Sequence, residues 1–275
     1  MRDIPAPSAA IERLIWRDGA AASGPRIVPE ETPVALTYGR ATHAVMMATP
    51  ADLRDFALGF SLAEGIAGDP RDIETLDIIS NDTGIELRMD LVPARQTGLE
   101  RRRRHITGPG GCGLCGMDSL AEALRPVRQV MSNMTFSAGE VQAAAMALTA
   151  AQHLNAETRA VHAAGFWVPG RGLIAAREDV GRHNALDKLI GALAWAGEAT
   201  SRGIVVLSSR VSVEMVQKTA ILGAPAIVAV SAPTALAVRV AEAAGVTLIG
   251  VARQDGFEVF THSNRITTGP VQHVA

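Results

Sequence analysis

"GIVVLSS" at residues 203–209, "AIVAVSA" at 226–232 and "VTLIGVAR" at 246–253 decide the fold. Each is a short, nearly continuous apolar run, rich in β-branched residues, as expected of a strand buried on both faces. Between them stand "VEMVQKTAIL" (213–222) and "TALAVRVAEAAG" (234–245), which have helical length and helical apolar spacing. Strand, helix, strand, helix, strand in this order implies an at least partly parallel sheet covered by helices on both faces, a three-layer α/β arrangement.

Two further helices precede this series. In "SAGEVQAAAMALTAAQHL" (137–154), Ser137 stands three residues before Glu140, the spacing of a capping box. In "VGRHNALDKLIGALAWAG" (180–197), Leu186, Leu189, Ile190 and Leu193 share one face. The amino-terminal half has a different texture. "TPADLRDFALGFSLAEGI" (49–66) reads as a helix that Thr49 or Asp52 caps and Gly65 stops. "LDIIS" and "GIELRMDLV" read as strands, the second alternating Ile85, Leu87, Met89 and Leu91. The expected division is a small α+β domain over 1–104, a linker over 105–134 and the larger α/β domain over 135–275.

Composition narrows the function classes. With 48% hydrophobic and 20% charged residues the chain can build a sizeable core and remain soluble. A formal net charge of -2 gives no bulk attraction to nucleic acid, so any anion binding must be local. No window approaches eighteen consecutive apolar residues, so no membrane span is expected. The start, "MRDIPAPSAAIERLIW", has acids and prolines where an export signal needs a basic start and an apolar core. The expected compartment is the cytoplasm, where thiols stay reduced.

In open α/β sheets ligands gather beyond the carboxyl ends of the strands, where helix N-termini present free amides. Two such ends carry hydroxyls: Ser208 with Arg210 after the first strand, and Ser231 after the second. They suggest an anion pocket for phosphate or pyrophosphate, against the plainer alternative of helix capping. "REDVGRHNALDK" (177–188) crowds eight polar groups into twelve residues at a helix start. It reads either as a solvated face laced with i,i+4 ion pairs or as a binding edge with Arg182, His183 and Asn184 in the cleft. No second ligand stands at helical spacing from His183, which argues against a metal there.

Both cysteines of the chain fall within "TGPGGCGLCG" (107–116), which also holds five glycines. The thiolate is the reactive form, and the run "RRRRH" from Arg101 to His105 places positive charge just upstream. A structural zinc site needs four ligands, and no second cysteine pair exists. A thioredoxin-like pair is expected between a strand and a helix, not among glycines. The third reading is a cysteine that carries a group on a loop free to swing. A lone CxxC leaves all three open.

The whole set of motifs resembles the formate dehydrogenase accessory sulfurtransferase family. The resemblance is carried by "ETPVAL" (31–36), "MATPADLRDFALGFSLAEGI" (47–66), "GGCGLCGMDSL" (110–120), "REDVGRHNALDKLIG" (177–191), "SSRVSVEMVQK" (208–218) and "SAPTALAV" (231–238). It implies a protein that accepts persulfide sulfur from a cysteine desulfurase. The sulfur then passes to the molybdenum (or tungsten) of a Mo-bis(molybdopterin guanine dinucleotide) cofactor destined for formate dehydrogenase. It also implies a cytidine deaminase-like carboxyl half and a homodimer. Carried over by position, Cys112 is the persulfide carrier and Cys115 a second thiol. "FTHSNR", that is Phe260, Thr261, His262, Ser263, Asn264 and Arg265, matches the segment associated with cofactor binding. The alternative within the same resemblance is a cofactor-binding chaperone that transfers no sulfur. The deaminase zinc signature, H-x-E with P-C-x-x-C, is absent, which argues against deamination. One departure stands out: "TRAVHAAG" (158–165) keeps Thr158 and His162 but has Arg159 and Ala160 where the family usually has two glycines.

Overall fold

The structure, a computed structural model, describes residues 2–103 and 127–268. The three sequence-decided strands form β10 (Ile204–Leu207), β11 (Ala226–Ala229) and β12 (Thr247–Gly250), mutually parallel and buried throughout. They sit in a six-stranded sheet with β8 (His162–Val168), β9 (Gly172–Asp179) and β13 (Glu258–Val259), in the order β13-β12-β11-β10-β8-β9. The outer three pair antiparallel, so the sheet is mixed.

Both faces of this sheet are covered. Val205, Leu207, Ile227 and Leu248 pack with α5 (Arg182–Trp195), α6 (Val213–Leu222) and α7 (Ala235–Ala244). On the opposite face Ile204, Val206, Val228 and Ile249 pack with α3 (Ala138–Ala150). Two short paired strands, β7 (Phe136–Ser137) and β14 (Ile266–Thr267), close that side. The period-two alternation sends successive residues of each strand to opposite clusters. The Ser137–Glu140 capping box forms as the spacing predicts. The helix it starts stops at Ala150, however, and a separate short helix, α4, follows at His153–Thr158.

The amino-terminal half is a four-stranded sheet, ordered β4-β3-β6-β5, of β3 (Thr32–Tyr38), β4 (Ala41–Ala48), β5 (Ile73–Asn81) and β6 (Gly84–Leu91). Its buried face includes Val34, Leu36, Ile85, Leu87 and Met89, against which Phe56, Ala57 and Phe60 of α1 (Leu53–Ala63) pack. A second helix, α2 (Pro93–Arg103), follows β6. Ahead of this sheet runs an exposed hairpin, β1 (Ser8–Arg17) and β2 (Ala20–Pro29).

The capping expected for α1 is not what forms. Asp52 precedes the helix in the left-handed conformation, φ 53°, and its side chain caps nothing. Thr49 is engaged elsewhere: its hydroxyl accepts from Val180 N at 3.1 Å, and its amide donates to Asp179 at 3.0 Å. Both groups therefore turn toward the carboxyl half. Gly65 does lie just past the helix end with φ 65°, as a stop position requires.

Candidate functional site at the carboxyl ends of β10 and β11

"REDVGRHNALDK" is neither a solvated face nor wholly a binding edge. Four of its eight polar groups, Arg177, Asp179, Asn184 and Lys188, form a junction between the two halves. Asp179 is fully buried and accepts from Thr49 N, Gly181 N and Asn184 Nδ2. Lys188, also fully buried, lies 2.6 Å from Asp179 and donates to the Thr49 carbonyl at 2.9 Å. Arg177 pairs with Asp55 of α1 at 2.8 Å, while Glu178 accepts from the Leu154 and Asn155 amides and so caps α4. Asp187 takes the Lys218 ammonium at 2.6 Å on each oxygen. Burial pushes the Asp187 carboxyl up to about 6, against the pull of Lys218 in the other direction.

Of the three residues read as facing the cleft, Asn184 belongs to this junction. It is 2% exposed, and its amide donates both to Asp179 and to the Met47 carbonyl, the latter at 2.8 Å. Arg182 and His183 remain, half-buried in the first turn of α5.

These two sit with the end of β10. Antiparallel pairing sets Ala164 opposite Leu207, so the start of β8, with His162, lies at the same end of the sheet as Ser208 and Arg210. Ser208 extends that pairing, donating its amide to the Ala163 carbonyl and accepting from the Ala163 amide on its hydroxyl at 2.8 Å. The loops after β10 and β11 are then laced together. Val211 bridges Pro233, and the Thr234 amide donates to the Val211 carbonyl at 3.0 Å, which sets Ser231 beside the same end.

The local field is positive. Burial first, then Arg182 and Arg210, hold His162 below its ordinary value. Burial, Lys218 and Arg182 hold His183 down to about 4, although Glu214 opposes them, so His183 is neutral at pH 7. Burial works against ionisation of Glu214, yet Ser212, the backbone, His183 and Arg182 together lower its carboxyl. The guanidinium groups of Arg182 and Arg210 have no hydrogen-bond or ion-pair partner among the described residues. Nor does a side chain cap the helix that starts beside each. Gly181, which has no side chain, precedes α5, and Ser212 precedes α6 without accepting from a first-turn amide, whereas Thr234 caps α7 by accepting from Ala237 N. Arg182, Arg210 and the first-turn amides of α5 lie at one strand end and can attract an anion, with the Glu214 carboxylate in the first turn of α6 opposing them.

The segment 260–265 divides between two places. Phe260 stays near this end: it is 37% exposed, and its ring lies 3.1 Å from where a Gly250 methyl would stand, beside Pro233 and Ser231. Thr261 is buried and braces β12, donating to Val246 O and accepting from Leu248 N. His262 reaches the Glu242 carbonyl at 3.2 Å, and Ser263 and Asn264 are exposed. Arg265 donates to the Gly245 carbonyl at 2.6 Å at the amino end of β12. There it lines a cavity of about 410 Å³ with Gln129, Ser132, Asn133 and Glu242. Cys112 and Cys115 lie outside the described residues.

The sequence motifs did not single out Glu214 or Lys218 of this cluster, and His162 stood out only as a residue kept in the stretch 158–165. The i,i+4 pair Glu214 and Lys218, directly after a serine-rich strand end, was the available signal.

The sequence pattern of the FdhD/NarQ family matches residues 29–267. This chain belongs to that family. A protein of Agrobacterium fabrum named "Sulfur carrier protein FdhD" is 52% identical over 257 residues, covering 93% of this chain and 95% of that one. A protein of the same name from Cupriavidus necator is 48% identical, over 91% of this chain and 87% of that one. Among solved structures, a chain assigned as a formate dehydrogenase accessory protein of Desulfotalea psychrophila superposes with a TM-score of 0.72 at 24% identity. It covers 94% of this chain and 99% of that one, which shows the FdhD/NarQ chain and that structure to share a fold.

Proposed function

We propose that this protein is a sulfur carrier serving formate dehydrogenase, with Cys112 as the thiol that bears the sulfur. The relatives' name supports the carrier role. In the first step the Cys112 thiolate attacks the outer sulfur of a cysteine desulfurase persulfide. The sulfur–sulfur bond of the donor breaks, the donor's thiolate leaves, and Cys112 becomes the persulfide. In the second, the Cys115 thiolate (or an external thiol in its place) attacks the inner sulfur of the Cys112 persulfide, the outer sulfur leaves as hydrosulfide to the metal of Mo-bis(molybdopterin guanine dinucleotide), bound as acceptor substrate, and the disulfide left behind is reduced by an external thiol. The observation that supports a polyanionic acceptor is that Arg182 and Arg210 both act on His162 beside the end of β10 and have no ion-pair partner among the described residues. In this reading Arg182, His183, Ser208, Arg210 and Ser231 take a phosphate-bearing end of the acceptor, with Phe260 beside them. Asn184 positions the first turn of α5. The reading includes a cytidine deaminase-like carboxyl half and a homodimer acting in the cytoplasm.

The test is direct. After incubation with a cysteine desulfurase and cysteine, the peptide holding Cys112 and Cys115 should gain one sulfur atom by mass spectrometry. Cys112→Ala should abolish activation of formate dehydrogenase, and Cys115→Ala should weaken it less. Full activation by Cys112→Ala would replace the carrier with a cofactor-binding chaperone.

A further inference from the structure

The hairpin β1–β2 is tied to the rest of the fold at its base alone. There Arg26 donates to the Thr158 carbonyl at 3.0 Å, and the Glu30 amide donates to the Pro7 carbonyl at 2.9 Å. Between Ala10 and Pro25 the described residues form no hydrogen bond or ion pair beyond the hairpin's own ladder. A two-stranded ribbon with no third strand or helix along it is only marginally stable in water, so two strands of ten residues call for a cover.

The pairing decides which face is free. Residues directly opposite one another in an antiparallel ladder share a face. Ile11 stands opposite Arg26, whose guanidinium reaches Thr158, so the face of Ile11 and the half-buried Ile15 turns toward the body of the protein. The other face turns away from it. On that outward face Leu14 and Trp16 are 72% and 73% exposed, and Ile27, opposite Ala10, is 37% exposed. Single exposed apolar residues are ordinary, but three large ones on one face of one ribbon mark an interaction surface.

The relief of this face says what fits it. Each large side chain stands opposite a small one: Trp16 opposite Ala21, Leu14 opposite Ser23, Ile27 opposite Ala10. A half-turn about an axis along the ribbon lays β1 of one copy over β2 of another, and every large side chain then meets a small one. A surface that is its own complement under a twofold is the requirement for an isologous contact. Charge agrees with this. Glu12 is the one charged residue of the face and stands opposite Pro25, so the same half-turn brings no like charges together. At about 3.3 Å per residue and about 4.8 Å between strands, the face spans roughly 33 Å by 10 Å, and two stacked arms cover on the order of 700 Å² in total. That is below the roughly 1,200 Å² of a stable interface, so the contact suits a dimer that dissociates on dilution.

We propose that the outward face of the β1–β2 hairpin is the surface through which two copies of this chain pair, with Trp16 seated over the partner's Ala21 and Leu14 over the partner's Ser23. The proposal rests on the homodimer of the proposed function and gives it a surface.

Sedimentation velocity of the full chain over a wide concentration range tests it, with thermal melts as the check on folding. The unsubstituted protein should pass from monomer to dimer as concentration rises. Leu14→Ser combined with Trp16→Ser should raise the dissociation constant at least about a hundredfold, because an isologous contact loses each anchor twice. Both residues are exposed, so the melting temperature of the monomer should stay where it was. Ala21→Trp alone should weaken the dimer by filling the place of the facing Trp16, and adding Trp16→Ala to it should restore pairing. A dimer unchanged by the double serine variant would overturn the arm contact and leave a homodimer formed elsewhere. A protein that stays monomeric at every concentration would overturn the arm contact and the homodimer together. Tighter pairing by Ala21→Trp would show a merely adhesive face and would overturn the large-over-small fit.

Discussion

A lysine buried to 0% exposure must stay charged against desolvation or lose its proton, and Lys188 meets that demand with Asp179 at 2.6 Å and the Thr49 carbonyl at 2.9 Å. The pair stands where the loop after β4 meets the first turn of α5, so it fixes the ground on which Arg182 and His183 stand. Lys188→Met should destabilise the protein by about 3 kcal/mol, since Asp179 would remain buried without its cation. Adding Asp179→Asn should recover a good part of this, and urea unfolding of both single variants and the double gives the coupling as a cycle. Strictly additive effects would show that the two side chains do not act on one another. Such roles were hidden in the sequence. "REDVGRHNALDK" displays the right residue types, but Asp179 and Asn184 differ from Arg182 and His183 only in which tertiary partners they meet. Those partners, Met47 and Thr49, lie more than a hundred residues away. Ser208 and Arg210 could be read directly, because strand ends in α/β sheets have a fixed relation to helix starts.

The helix pair α1 and α5 transmits that arrangement, and two glycines set its spacing. A methyl group on Gly59 would overlap the Asp187 carbonyl, and one on Gly191 would overlap the Asp55 carbonyl, so the two backbones touch without side chains between them. Gly191→Ala should therefore cost more than about 3 kcal/mol, as overpacking against backbone cannot be relieved by a rotamer change. Gly139→Ala in α3, where a Cβ would meet nothing within 4 Å, should instead be neutral or stabilising by up to about 1 kcal/mol. Melting temperatures of the two variants decide the point: equal small shifts would mean that the helices can separate freely. Elements with a strong apolar period were legible, as Leu186, Leu189, Ile190 and Leu193 of α5 show, all buried. The hairpin β1–β2 was not, because both of its strands are largely exposed and bear no period-two apolar pattern. Its one clear mark is Asp18-Gly19, a two-residue turn with φ 52° and 82° that joins the strands at the Arg17 and Ala20 pair.

At the scale of the whole molecule, the apolar core of the amino-terminal half and the one beneath α5 to α7 do not divide cleanly at any one residue. Ala63 from α1 belongs to the core beneath the six-stranded sheet, Ala194 from α5 packs against the core of the four-stranded one, and Leu62 touches both. Arg177 to Asp55, Asn184 to Met47 and Arg26 to Thr158 cross between the same halves. Shared apolar contacts and buried ion pairs of this kind make the unfolding of one half expose unpaired groups in the other. The full chain should thus unfold in urea as one transition, with tryptophan fluorescence and far-ultraviolet circular dichroism coincident. Trp195 is a suitable reporter, since its Nε1 donates to the Arg54 carbonyl across the α1–α5 contact at 3.4 Å. A chain limited to residues 135–275 would retain the six strands but expose the face of α5 that α1 covers. It would also bury Lys188 without the Thr49 carbonyl. It should lack a cooperative transition and should not bind guanosine diphosphate, because Arg182 and His183 would lose the junction that orients them. Two resolved transitions in the full chain, or a cooperatively folded and ligand-binding fragment, would show instead that the site is assembled by the carboxyl half alone.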